Sequence, residues 1–140
     1  MAKRHAPSLM RQIRRELKKG ASPESIFLKV KAIEDPYYRS LSFFLLIPYF
    51  SPKDKRCKES ISLSNKDIEK VQQPWRRVEL IGSISKILNS VSDIRLQRQL
   101  FSLILEKIRI EKSKEIKDFL LKLSLIHLSE PTRLRRLAGG

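Results

Sequence analysis

The chain has 140 residues, 41% of them apolar, enough for one ordinary domain with a buried core, and this excludes disorder as a description of the whole. Thirty Lys and Arg against fifteen Asp and Glu give a net charge of +15. Such an excess draws anionic partners: nucleic acid first, an acidic protein face second, an anionic membrane surface third.

Cys57 is the single cysteine, so no internal disulfide is available and a reducing cytoplasm is the expected location. Met1–His5 leads into no apolar run, so no secretory signal is expected. The longest apolar stretch, Leu41–Phe50, has ten residues, short of the roughly twenty a membrane span needs. Four glycines and a Lys/Arg/Glu/Leu-rich composition favour helices over strands.

Ser8–Lys19 has the spacing of an amphipathic helix. Leu9, Met10, Ile13 and Leu17 share one side; Arg11, Arg14, Arg15 and Lys18 share the other, and Lys19 follows. Gly20 suits the position just past the helix end. Ser22-Pro23-Glu24 restarts the chain with an N-cap, a proline at the first helical position and an acid in the first turn. Ile26, Phe27, Val30 and Ile33 form the stripe of that helix. Asp35-Pro36 opens the next, which Pro48 should kink or end.

Ser51-Pro52 is the expected start of a polar helix over Lys53–Val71, with a break expected near Ser62–Asn65 because those side chains compete for backbone hydrogen bonds. Pro74 opens a helix ending near Leu88–Ser90, with Gly82 inside it, where a close neighbour is expected. Ser92-Asp93 caps a helix over Ile94–Ile110 whose wide apolar arc predicts neighbours on two sides. Ser113 caps one running to about Leu128, and Ser129-Glu130-Pro131 starts a short one.

The chain also repeats itself. Ile33–Phe50 returns as Val71–Leu88, placing Pro36 on Pro74, Tyr37 on Trp75, Arg39 on Arg77 and Phe50 on Leu88 at an offset of 38. A fainter third copy starts at Ile110, its Phe119 and Leu120 falling on Leu80 and Ile81 at an offset of 39. Self-similarity at this period predicts stacked units. The expected fold is all-α: about three antiparallel helical hairpins in a right-handed stack, seven or so helices, one domain over 1–140 with a basic helix and arm at 1–20 and a short basic tail at 129–140.

Asp35-Pro36-Tyr37-Tyr38-Arg39 and Gln73-Pro74-Trp75-Arg76-Arg77, with proline between successive hairpins, resemble the tetratricopeptide-like family of helical-hairpin repeats and its short archaeal-type α-solenoids. The resemblance covers about residues 22–128, with a longer period and without the Leu-Gly pair of the tetratricopeptide's first helix. It implies a stacked architecture and an adaptor or scaffold role without catalysis, and carries over no binding residues. Leu123–Arg133 also looks like a translated sequencing-adaptor end, which would make the natural chain differ after about Lys122, whereas Leu123 and Ile126 keep the repeat's register.

Two groups stand out as sites. Arg11, Arg14, Arg15, Lys18 and Lys19, extended by Lys3, Arg4 and His5, have the density to track a phosphate backbone; the alternative is a solvated end cap. Arg133, Arg135 and Arg136 form a smaller cluster. Tyr37 with Arg39, and Trp75 with Arg77, form a ladder suited either to base stacking with phosphate pairing or to holding successive helix ends together. His5 and His127 have no ligand-spaced partners, no Gly-rich phosphate loop exists, and no cofactor, metal or catalytic group is implied. Basic neighbours Lys55, Arg56 and Lys58 favour a lowered Cys57 pKa, but no partner base accompanies it, so a reactive thiol is not expected. The expected function is a non-enzymatic nucleic-acid-binding protein, RNA or DNA, with a protein–protein scaffold as the alternative.

Overall fold

The helix ends show how closely local chemistry shapes this chain. In the computed structural model, which describes the backbone of residues 6–127 and the side chains of residues 7–122, α1 (Ala6–Lys18) closes on Gly20 at φ +89°. Gly20 N–H donates to the Leu17 carbonyl at 3.1 Å, and Ala21 N–H donates to the Glu16 carbonyl at 2.9 Å. This is the paired bonding that a left-handed residue makes possible at a helix end.

Helix α2 (Pro23–Lys31) begins with Ser22 at its N-cap. The Ser22 hydroxyl donates to Glu24 Oε2 at 2.6 Å instead of accepting from the backbone, and this bond, before any other cause, holds the Glu24 carboxyl below its usual range. α3 (Pro36–Leu46) is capped as expected: Asp35 accepts from the Tyr37 and Tyr38 N–H groups at 2.9 and 3.3 Å. Pro48 falls in a 3-10 turn, Ile47–Tyr49, that ends it.

Helix α4 spans Lys55–Lys70 and departs from expectation twice. Its cap is Asp54, which accepts from the Arg56 N–H at 2.8 Å, so the start lies beyond Ser51-Pro52. It also runs unbroken through Ser62–Asn65. The serines nearby back-bond within the helix: Ser60 to the Arg56 carbonyl at 2.7 Å and Ser64 to the Ser60 carbonyl at 2.6 Å. Their hydroxyls are thus satisfied inside the protein, and packing outweighs weak helix propensity.

α5 (Pro74–Ser90), α6 (Ile94–Arg109) and α7 (Lys114–His127) complete seven α-helices, and no strand occurs among the described residues. Asp93 caps α6 by accepting from the Leu96 N–H at 2.9 Å, and Ser113 caps α7 by accepting from the Ile116 N–H at 3.3 Å. The short terminal helix expected after Ser129 lies outside the described residues.

The chain divides into two units, Met1–Val71 and Gln72–Gly140. In the first, α3 is central, meeting α1, α2 and, most extensively, α4. Phe43, Phe44, Leu46 and Ile47 are buried there with Ile26, Phe27 and Val30 of α2, and the Phe27 ring lies 5.7 Å from Phe43 and 6.0 Å from Phe50. Ser40, Ser42, Ser60 and Ser64 are fully buried on α3 and α4, small side chains that suit close helix contact.

In the second unit α5 is central, meeting α6 and α7. Leu80, Ile81, Ile84 and Leu88 are buried with Leu96, Leu100, Leu103 and Ile104 of α6 and Ile116 and Leu120 of α7. The two central helices are the two copies of the offset-38 repeat. Ile33 and Val71 are both buried, whereas Ile110, the start of the fainter third copy, is exposed. Phe119 is exposed where its counterpart Leu80 is buried. The wide arc of α6 is only partly covered: Leu105 is exposed and Phe101 half-buried. Gly82 also differs from expectation, since a Cβ built there would meet nothing within 4 Å, so no neighbour requires a glycine.

Candidate functional site

Helix α1 supplies the densest basic surface. Ile13 and Leu17 are buried and Leu9 and Met10 half-buried, which fixes the roll of the helix about its axis. The opposite face then carries Arg11, Arg14, Arg15 and Lys18 at the three-, four- and seven-residue spacings that share a helix side. All four are exposed, as is Lys19 beside Gly20. Among the described residues none of these five makes an ion pair. Glu16, the one acid of this helix, meets Lys29 of α2 at 2.7 Å and so faces away from them. Lys3, Arg4 and His5, expected to extend the patch, and Arg133, Arg135 and Arg136 lie outside the described residues.

On the other side of α1, α1 and α2 leave an open cleft of about 320 Å³ lined by Leu9, Gln12, Ile13, Glu16, Lys29, Ala32 and Ile33. The Glu16–Lys29 pair is its charged element; most of the other lining is apolar.

The ladder residues lie in two matched clamps. Arg39 donates from Nε and Nη2 to the two Asp67 carboxylate oxygens at 2.8 and 2.7 Å, and from Nη1 to the Ile33 carbonyl at 2.8 Å. Arg77 donates from Nε and Nη2 to the two Glu111 oxygens, both at 3.0 Å, and from Nη1 to the Gln72 carbonyl at 3.1 Å. Each arginine thus ties the start of its helix to the backbone just before it and to an acid near the end of the following helix. The fork geometry of guanidinium matches a carboxylate in this way and lysine's does not.

The acid side chains are only 3% exposed in both clamps. Asp67's hydrogen bonds raise the Arg39 pKa. Arg77's hydrogen bonds hold the Glu111 carboxyl below its usual range against the opposing effect of burial, with the Ser113 N–H adding to them at 3.2 Å. Both guanidinium groups are therefore engaged within the protein.

The aromatic members differ. Tyr37 is buried and meets Tyr38 edge-on at 4.8 Å. Trp75 is 55% exposed and meets Phe119 of α7, itself 43% exposed, edge-on at 5.5 Å. Phe119 was not legible as its neighbour in the sequence, 44 residues away. The acids of the clamps were missed as well, although each unit carries the same signal: a Pro-aromatic-x-Arg start, then an acid near the end of the next helix.

Cys57 is buried, so its basic neighbours do not make it an accessible thiol. The His127 side chain and all of His5 lie outside the described residues. Among the described residues no three His, Cys, Asp or Glu side chains are grouped as metal ligands, and no helix is long and apolar enough to cross a membrane. Comparison with protein-family models, with curated proteins and with solved structures gives no match.

Proposed function

We propose that this is a non-enzymatic helical-repeat protein that binds nucleic acid, RNA or DNA, through phosphate contacts on the outer face of α1. The observation that carries this reading is the row Arg11, Arg14, Arg15, Lys18 and Lys19, exposed on one helix and free of ion pairs among the described residues. A cation already paired with a carboxylate must give up that partner to meet a phosphate; these five need not. Recurrence of the arginine clamp in the two units supports the tetratricopeptide-like repeat reading.

The test is binding of labelled single- and double-stranded RNA and DNA over a salt series. Each neutralised phosphate contributes about 0.7–0.9 to the slope of log K against log salt, so Arg11→Ala/Arg14→Ala/Arg15→Ala should lower that slope by about two to three. Absence of binding at low salt overturns the proposal.

The α1–α2 cleft favours a second reading, a scaffold for an acidic protein segment that sets an apolar side chain between the helices while its acids meet α1. An acidic peptide whose binding falls with Leu9→Ser, and which outcompetes nucleic acid, would decide for it.

A further inference from the structure

We propose that Trp75 and Phe119 form a base-stacking platform for single-stranded nucleic acid on the second unit; this deepens the nucleic-acid reading and rests on it. The two aromatics are half-exposed and touch each other, with ring centroids 5.5 Å apart and planes at 76°. An aromatic ring stabilises a fold chiefly through the area it buries, and about half of each ring residue's area is left uncovered here. The repeat supplies a direct comparison. Tyr37, at the matching position of the first unit, is 8% exposed and belongs to the core. The same register position thus points a larger aromatic into solvent in the second unit.

The surroundings are built to hold that geometry. Pro74 starts α5, which puts Trp75 on its first turn. Two residues on, Arg77 grips Glu111 with two hydrogen bonds and so fixes the α6–α7 connection against that turn. The clamp brings Lys112 and Lys114 to the same end of the unit, and Lys122 follows Phe119 by three residues on α7. These three lysines are exposed, and among the described residues none is in an ion pair. Glu115 and Asp118 are the exposed acids on the same stretch.

Half-exposed aromatic rings on a unit whose α6–α7 connection and α7 carry exposed lysines match a single strand, whose bases offer π-faces and whose phosphates offer charge. A duplex keeps its bases stacked on one another and presents no such face. Stacking of this kind tolerates any base, so weak sequence preference follows.

Trp75 is the only tryptophan in the chain, so its intrinsic fluorescence reports this position alone. The experiment pairs two readouts on the full chain: polarisation of a labelled short oligothymidylate for total binding, and Trp75 fluorescence for stacking. Titration with oligothymidylate should quench Trp75, while an abasic strand of equal charge should leave it nearly unchanged. Loss of one stacked base predicts about 5- to 150-fold weaker single-strand binding for Trp75→Ala. Duplex affinity and the helical circular-dichroism spectrum should be retained, since the side chain is 55% exposed and its contact with Phe119 is the aromatic contact that is lost. Trp75→Phe should restore most of the single-strand affinity.

Binding seen by polarisation without quenching, and with Trp75→Ala unaltered, overturns the platform while leaving phosphate binding at α1 in place. Quenching by the abasic strand or by polyglutamate to the same extent also overturns it, because charge alone would then account for the signal. No polarisation change with any nucleic acid removes both proposals together.

Discussion

Arg39 shows what a single residue contributes here. Its guanidinium satisfies both oxygens of a carboxylate that is 3% exposed and a backbone carbonyl at the end of the preceding helix segment. Arg39→Ala would leave Asp67 buried without its counter-charge, a change that costs about 3–5 kcal/mol in comparable sites. Urea unfolding should register that loss, and Arg39→Met/Asp67→Leu should recover most of it, since removing both charges abolishes the desolvation problem. Equal stability of the single and double variants would show that the clamp's energy lies in the Ile33 carbonyl instead.

The second clamp makes a pH prediction of known sign. Glu111 has its folded pKa depressed by Arg77, so its unfolded state binds the proton more tightly than the folded state does. The stability it contributes is present in full above the unfolded value of 4.5 and is lost as pH falls through the lower folded value. Glu111→Gln should be less stable than the parent at neutral pH, and the gap should narrow on acidification below 4.5. A gap that stays constant with pH would mean the carboxylate's charge is immaterial.

At the scale of elements, the glycines give opposite answers to one substitution. Gly20 holds a φ of +89°, where a side chain is strained whatever the space around it, so Gly20→Ala should destabilise by about 1–2 kcal/mol. Gly82 lies inside α5 with room for a methyl group, so Gly82→Ala should stabilise by about 0.5–1 kcal/mol. Thermal unfolding of the two variants checks both signs.

Most helix boundaries were legible in the sequence because the signals are local. Asp35, Asp93 and Ser113 accept from N–H groups within three residues of themselves, and Pro36 and Pro74 fix φ at the first helical position. The start and continuity of α4 were not, because Asp54 competes with Ser51-Pro52 for the cap and because Ser60 and Ser64 are buried on the element that packs on α3. The basic side of α1 was readable from spacing alone. The carboxylates of the clamps and the Trp75–Phe119 contact were not, since they join residues 28, 34 and 44 positions apart, and periodicity within one helix says nothing about its neighbour's register.

For the whole molecule, charge sets two responses to salt that run in opposite directions. Thirty cations face fifteen anions, and several of the ion pairs among the described residues, such as Lys31–Glu59 at 3.6 Å, are between exposed groups and contribute little. The excess positive charge repels itself in the compact state. Raising ionic strength from about 0.01 to 0.15 M shortens the Debye length from about 30 to 8 Å and screens that repulsion. The thermal midpoint should therefore rise by a few degrees over this range in the isolated protein. Nucleic-acid affinity should fall over the same range, because the counterions released on binding gain less entropy in a saltier solution. A saturating single strand at low salt should raise the midpoint by mass action, and this stabilisation should vanish as salt is added. The two curves would then converge: ligand-bound protein more stable in dilute buffer, free protein and mixture alike at high salt. A midpoint that falls steadily with salt in the free protein would mean that its ion pairs outweigh its net charge. The α1 face would then be a solvated surface balanced by acids elsewhere, and its claim to a phosphate backbone would rest on the binding isotherms alone.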